Sequence, residues 1–380
     1  MVAAASVVVA VGTVSGLLAA TGGEEKHTAL PAPEVTTSAL QLPLPARPSP
    51  RAASPTPSPS PSVTAVKPSV RPSPKPKPPA KKSKAPAAPA ARTVSADLYR
   101  HPQSQVLDWV RANPGDSRRA VIESRIADQP AAVWFAQYDP GAITGRVRAV
   151  TSGAAAAGRV PVLVPYAIPD RDCGGASQGG APDLAAYDGW IRNFADGLGS
   201  GPVIVVLEPD SIALADCLSS GERAARYASL ARAGKALRAA NPQAKVYFDA
   251  GHSGWHSASK MAGALRQADA ATSSDGIFTN VSNFHATADE ASYARRVLAA
   301  LGGPSHLGAV IDTSRNGNGA PAPGEWCDPA GRALGRTPTT RTGDARIDAY
   351  LWIKLPGESD GCSGSAGEFS AGYAYDLATG

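Results

Sequence analysis

The strongest pattern in the chain is a run of five apolar residues, Val203–Leu207, that breaks off into Glu208-Pro209-Asp210. A continuous run of β-branched and aliphatic residues predicts a strand covered on both faces, the usual form in a parallel sheet. Proline removes a ladder donor, so Asp210 is expected where the strand opens into a loop. Similar short runs recur between residues 132 and 354, and strands are predicted at 132–136, 160–166, 202–207, 245–249, 276–281, 307–311 and 349–354. Alanine-rich stretches with helical spacing lie between them, at 186–198, 220–240, 257–268 and 292–301. A further helix is expected at 103–113, with Val106, Trp109 and Val110 on one face. Alternating strands and helices predict βα units and a parallel sheet, either a barrel or a doubly wound sheet.

The polar residues that follow the strands favour the barrel. Asp170 and Asp172 follow the second run, Glu208 and Asp210 the third, Asp249 the fourth, Asp312 the sixth, and Glu358 and Asp360 the seventh. In α/β barrels the carboxyl ends of the strands gather around one mouth and carry the chemistry. Asp170 and Asp312 are expected to be turn formers or helix caps. The remaining carboxylates form a ring without metal-ligand spacing. There is no Cys-x-x-Cys, and no histidine lies three or four residues from a cysteine. Such a ring suits glycosidic-bond hydrolysis, in which one carboxyl protonates the leaving oxygen and another serves the attacking water. A carboxyl beside so apolar a strand is expected to hold its proton, as a general acid must. Trp134, Trp255 and Trp326 stand in or beside these loops and offer flat faces to sugar rings; Trp109 and Trp352 are expected in the core.

Charge divides the chain. Residues 35–96 hold ten Lys or Arg and no Asp or Glu, whereas 97–380 hold 26 basic against 29 acidic residues, a net of −3. The overall charge of +5 therefore belongs to the tail, and a nucleic-acid partner, which would call for a basic face on the folded part, is not expected. Residues 1–22 are largely apolar and are expected to be an export signal or a membrane anchor. Residues 23–92 are rich in Pro, Ala, Lys and Ser, and their repeated Pro-Ser and Pro-Lys pairs predict an extended solvated linker. Its lysines offer contact with anionic wall polymer or a membrane surface, or serve only solubility and stiffness. The folded domain is expected over 93–380. Cys173, Cys217, Cys327 and Cys362 allow three pairings, and bridged cysteines imply an oxidising compartment.

Read together, Tyr166-Ala-Ile-Pro-Asp-Arg-Asp172-Cys173 with Ser177, Leu207-Glu-Pro-Asp210, Asp249-Ala-Gly-His252-Ser-Gly-Trp255, Trp326-Cys327-Asp328 and Lys354-Leu-Pro-Gly-Glu358-Ser-Asp360-Gly-Cys362 resemble glycoside hydrolase family 6, the family of endo-β-1,4-glucanases and cellobiohydrolases. The resemblance covers residues from about 95 to 380, in the family's order. It implies a distorted seven-stranded parallel α/β barrel with its active site at the carboxyl ends of the strands. It also implies inverting hydrolysis of β-1,4-glucan, no cofactor and no metal. By position Asp210 matches the general acid. Asp172 matches the carboxylate that raises the acid's pKa and organises the water, and Asp360 the proposed base, acting directly or through a relaying water. Tyr166 and Asp249 match residues of the central subsite, and Trp134 a stacking residue towards the non-reducing side. Ser177, His252, Trp255, Asn283, Trp326, Lys354 and Glu358 match sugar-binding positions. The resemblance also implies the pairs Cys173–Cys217 and Cys327–Cys362.

Two positions depart from the family pattern. Leu355 replaces a common proline, and Ala136 stands where a polar sugar contact is often found, which weakens that subsite. Long insertions near the bridges roof the cleft in members that act from chain ends. Here both intervals are short, so an open groove and endo action are expected, with a cellobiohydrolase as the alternative. Two other readings compete. Gly175-Ala-Ser177-Gln-Gly179 fits a serine esterase motif, but eight residues separate it from the preceding strand, where a nucleophile elbow needs a direct turn. A wall protein that binds glucan without cleaving it would not need the three catalytic carboxylates. No feature calls for an oligomer, so a monomer is expected.

Overall fold

The computed structural model describes residues 97–380; the apolar segment 1–22, the linker 23–92 and the first residues of the expected domain lie outside the described part. Seven parallel strands form one sheet in chain order: β1 (Val133–Phe135), β2 (Val162–Pro165), β3 (Val203–Leu207), β4 (Ala244–Asp249), β5 (Gly276–Thr279), β6 (Gly308–Asp312) and β7 (Ile347–Leu351). The sheet curls into a half-barrel, as the expected distorted barrel requires. Among the described residues no ladder joins β1 to β7. Their ends meet through single bonds, Ala132 N–H to the Trp352 carbonyl at 2.9 Å and Trp134 Nε1–H to the Ile353 carbonyl at 2.7 Å.

Strand side chains alternate between two apolar layers, as period-two geometry dictates. Val162, Val164, Ile204, Val206, Phe278 and Val310 fill the concave interior. Leu163, Val203, Val205, Val246, Ile277 and Ile311 pack outward against the helices. The longer helices are α1 (Gln105–Ala112), α2 (Ile143–Ala156), α3 (Leu184–Ala195), α4 (Ser220–Ala240), α5 (Ala258–Gln267), α6 (Thr287–Leu301) and α7 (Ala371–Thr379), of which α2 to α6 cover the outer face of the sheet. Trp352 is buried in a third cluster with residues of α1 and α7, while Trp109 packs at its margin.

Several element ends differ from the sequence reading for identifiable reasons. β5 stops at Thr279 and not Val281 because Asn280 turns to φ 69°. β7 starts at Ile347, two residues early, because the polar Asp348 is accommodated where the β6–β7 register shifts. Its carboxylate accepts from the Tyr247 hydroxyl at 2.8 Å. Gly308 lies against it, where a Cβ would come within 2.1 Å of Asp348 Oδ2. β7 ends at Leu351 because the next backbone donors, Ile353 N–H and Lys354 N–H, go to the Asp312 carboxylate at 3.3 and 2.9 Å. α6 begins five residues before the expected Ser292, with Asp289 and Glu290 in its first turn, where the helix dipole favours acids.

Candidate active site

Backbone strain is concentrated where the strands open. Asp170, Asp172, Cys173, Glu208, Asp210, Asn280 and Ser282 all have φ between 47° and 69°. Non-glycine residues in that region cost free energy and tend to mark functional turns.

The turn after β3 is held by two carboxylates that do not face solvent. Glu208 accepts from Ala167 N–H and Ile168 N–H, both at 3.0 Å, and so ties the β2 exit to the β3 exit. Burial pushes its carboxyl up to about 7. Asp249 accepts from Ile212 N–H at 3.0 Å, Ala213 N–H at 2.7 Å and Gly251 N–H at 2.9 Å. At 2% exposure Asp249 lies buried under the turn. Its capacity is consumed by backbone donors. Above it, Asp210 reaches the groove. Burial drives its carboxyl well above the usual range, and the nearby Asp249 and Asp172 charges add to the effect.

The loop after β2 supplies the second carboxylate. Asp172 Oδ2 accepts from Ser177 N–H at 2.7 Å and from Ser177 Oγ–H at 3.0 Å. The Tyr166 hydroxyl lies 3.0 Å from Ser177 Oγ. Gly175 must be glycine, since a Cβ there would sit 2.5 Å from Asp172 Oδ2. The glycine-flanked Ser177 thus belongs to the Asp172 loop, which gives the motif a role other than an esterase elbow. Arg171 crosses the Tyr166 ring at 4.6 Å and donates to the carbonyls of Ala136 and Ser177. The bridge Cys173–Cys217 links this loop to the segment that follows Asp210.

The geometry fixes a sign for the pH dependence. The Asp172→Asn change removes a negative charge that helps Asp210 keep its proton. The Asp210 pKa must then fall, and, if Asp210 is the group whose ionisation sets the basic limb of kcat/KM, that limb is expected to move to lower pH. A pH–rate series on a soluble β-glucan measures it; a limb that stays put or moves up would mean that the two carboxylates are not coupled.

Across the groove, Asp360 sits among cations. Its Oδ2 accepts from Arg315 Nη1 at 2.8 Å, and Lys354 Nζ lies 3.5 Å from its Oδ1. Arg315 is fully buried; burial alone would lower its pKa, but the adjacent Asp360 raises it on balance. Lys354 is held down by burial, against the pull of Asp360. Glu358 is pushed up to about 7 by burial and accepts from Gln105 Nε2 at 3.0 Å. Cys327–Cys362 bridges the two loops on this side. Asp312 forms the local turn by accepting from Ser314 N–H at 2.9 Å and also clasps strand ends, accepting from Ser282, Ile353 and Lys354 N–H groups.

Asp210, Asp172 and Asp360 all line one groove of about 1100 Å³. Its walls also hold Trp134, Tyr166, Ser177, His252, Trp255, Asn283, Trp326, Lys354 and Glu358. Trp134 meets Tyr166 edge to face at 5.2 Å, and Trp326 stands 59% exposed at the rim. His252 stacks on His285 at 4.3 Å; burial, reinforced by His285, brings it down to about 3, so it faces the groove as a neutral imidazole. Past Trp134 the groove continues to Gln129 and the start of α1 at Gln103 and Gln105, none of which the sequence reading singled out. Arg315 is not singled out by the sequence either; it stands in a strand-end loop already marked as polar, and that position is the available signal. Among the described residues no group of three or more His, Cys, Asp or Glu could hold a metal ion.

Comparison with known proteins bears directly on this arrangement. The family model for glycosyl hydrolases family 6 matches residues 90–378. The chain is 55% identical over 287 residues to endoglucanase 1 of Streptomyces sp. (strain KSM-9), spanning 75% of this chain and 79% of that one. It is 52% identical over 293 residues to endoglucanase A of Thermobispora bispora, spanning 77% and 64%. The solved endoglucanase Cel6 from Mycobacterium tuberculosis, in complex with methyl-cellobiosyl-4-deoxy-4-thio-β-D-cellobioside, superposes with a TM-score of 0.70 at 42% identity, over 76% of this chain and 98% of that one. The match takes in every strand and every groove residue described above, and with it the chain belongs to glycosyl hydrolase family 6.

Proposed function

We propose that this glycoside hydrolase is an endo-β-1,4-glucanase that cleaves internal bonds of cellulose or a related glucan with inversion, Asp210 being the general acid. The observation that carries the reading is the Asp210 carboxyl, open to the groove yet driven towards its protonated form by burial and two neighbouring carboxylates. A sugar chain bound between the tryptophan faces would present a glycosidic oxygen to Asp210, which donates its proton as the bond breaks. Asp172, steadied by Ser177, supports the acid and orders the incoming water. Asp360, charge-balanced by Arg315 and Lys354, takes the water's proton directly or through a second water. Inversion needs room for that water, about 6.5–9.5 Å between the carboxyl groups.

Endo action is favoured by the short bridged intervals, 44 and 35 residues, which leave little chain to roof the groove. The endoglucanase names of the relatives point the same way. Release from the cell, or display on an N-terminal anchor, is supported by the two disulfides and by the apolar residues 1–22. Carboxymethylcellulose distinguishes the modes: viscosity should fall steeply for few new reducing ends. Reducing ends that accumulate while viscosity holds would instead favour the cellobiohydrolase reading.

A further inference from the structure

One carboxylate outside the groove collects an unusual number of donors. Asp328 Oδ1 accepts from Asp360 N–H at 2.6 Å. Its Oδ2 accepts from Ser359 Oγ–H at 2.6 Å, Ser363 Oγ–H at 2.7 Å, Ser363 N–H at 2.9 Å and Cys362 N–H at 3.1 Å. All five donors come from residues 359–363, the turn that carries Asp360. The contact is returned, for Asp328 N–H donates to Asp360 Oδ2 at 3.2 Å. Burial works against the Asp328 charge, but the Ser359 hydroxyl and the loop N–H groups outweigh it and hold the carboxyl far below the usual range. Asp328 takes φ 47° to aim its N–H and carboxylate at the same loop.

We propose that Asp328 is the positioning residue for Asp360. The inference rests on the reading of Asp360 as the base. Arg315 and Lys354 decide where a negative charge is favourable on this side of the groove. Asp328 decides where the peptide bearing that charge sits, because it holds both the Asp360 backbone N–H and its Oδ2. The neighbouring Cys327–Cys362 bridge joins the same two segments but fixes only their separation, with Cα atoms 5.8 Å apart. It does not set the orientation of the Asp360 peptide. A carboxylate with five converging donors does, since charge-assisted hydrogen bonds are both strong and directional. The two devices therefore separate: the bridge secures the loop against unfolding, and Asp328 secures the geometry of the base.

The experiment compares full-length variants on a soluble β-1,4-glucan, with melting curves for each. Asp328→Asn places an amide N–H₂ against loop donors. It is expected to lower kcat by about 10²-fold, the cost of an ångström of misplacement, with KM within about twofold. Cys327→Ser with Cys362→Ser is expected to keep kcat within about twofold despite a lower melting temperature. Should Asp328→Asn fail to fold, Ser359→Ala with Ser363→Ala removes only the two hydroxyl donors and is expected to lower kcat several-fold at unchanged KM. Asp360→Ala is the reference. If it is inert while Asp328→Asn, or the serine pair in its place, keeps full kcat, the positioning inference is overturned and the reading of Asp360 survives. If the cysteine pair loses as much kcat as Asp328→Asn, a plain tether explains the loop and the inference also falls. If Asp360→Ala retains kcat, the base reading itself is wrong, and the inference goes with it.

Discussion

Asp210→Asn is expected to lower kcat by about 10²–10⁴-fold, the usual contribution of general acid catalysis, while cello-oligosaccharide binding persists. Asparagine keeps the shape of the side chain and has no proton to donate to the leaving oxygen. In the proposed reading the sugar is gripped elsewhere, on Trp134, Trp255, Trp326 and the polar groups between them, so quenching of tryptophan fluorescence by a soluble oligosaccharide should survive the change. Stability adds a second, independent readout. Asp210 sits beside Asp249 and Asp172, and both burial and these charges oppose its ionisation. Replacing it with a neutral isostere removes the cost of ionising that carboxyl, so the variant is expected to melt like wild type at acidic pH and at a higher temperature than wild type as pH rises past the ordinary carboxylate range. In wild type the sign is fixed as well. With Asp210 as the proposed acid, kcat/KM is expected to decline as pH rises through its elevated pKa. A variant that kept a tenth of the activity would move the acid to another carboxyl, and one that melted lower would contradict the repulsion.

The sequence was most legible where one physical cause dominates. A parallel strand covered on both faces is a solid apolar run, and all seven were visible because Val, Ile, Leu and Phe fill them. α4 was placed correctly at both ends, since Ser219 and Glu222 form a capping box and Asn241 ends the helix. The pattern failed where backbone donors left the ladder for a side chain, as Ile353 and Lys354 do for Asp312, because an apolar residue looks the same whichever partner its N–H chooses. The expected end of β7, three residues beyond Leu351, is wrong for that reason.

The site divides along similar lines. Carboxylates at strand ends can be counted from the chain, but their division of labour depends on partners far away in sequence. Asp210 and Asp249 look alike as acids closing apolar runs. One reaches the groove, and the other spends both oxygens on the Ile212, Ala213 and Gly251 backbone. Glu208 does the same for residues 167 and 168, some 40 positions earlier. Arg315 was unreadable as the partner of Asp360 because 45 residues and a strand separate them. Conversely Ser177 was readable twice, as a nucleophile motif and as part of the Asp172 loop. Only the 2.7 and 3.0 Å bonds to Asp172 decide which glycines serve what.

The Arg315–Asp360 pair makes the largest stability prediction. Arg315 is fully buried, with Nη1 donating to Asp360 at 2.8 Å and to the Tyr373 hydroxyl at 3.1 Å, Nη2 to the Ser282 carbonyl, and the guanidinium 4.4 Å from the Phe284 ring centre. Arg315→Met keeps much of the stem that packs on Phe284 and removes the charge. Asp360 is left nearly buried with Lys354 at 3.5 Å as its remaining cation. Breaking a buried pair at one end typically costs about 3–5 kcal/mol, and that loss is expected in urea unfolding. Activity should collapse too if Asp360 serves as the proposed base, because it loses its fixed position. Replacing both partners, Arg315→Met with Asp360→Leu, leaves no uncompensated charge and should recover most of the stability with none of the activity. If the single variant unfolded within about 1 kcal/mol of wild type, Lys354 would suffice to balance Asp360 and Arg315 would be packing, not counter-charge. If the double variant stayed as unstable as the single one, the loss would lie in the Ser282 and Tyr373 hydrogen bonds that Arg315 makes. The two variants together separate the charge that Arg315 neutralises from the scaffold it bridges.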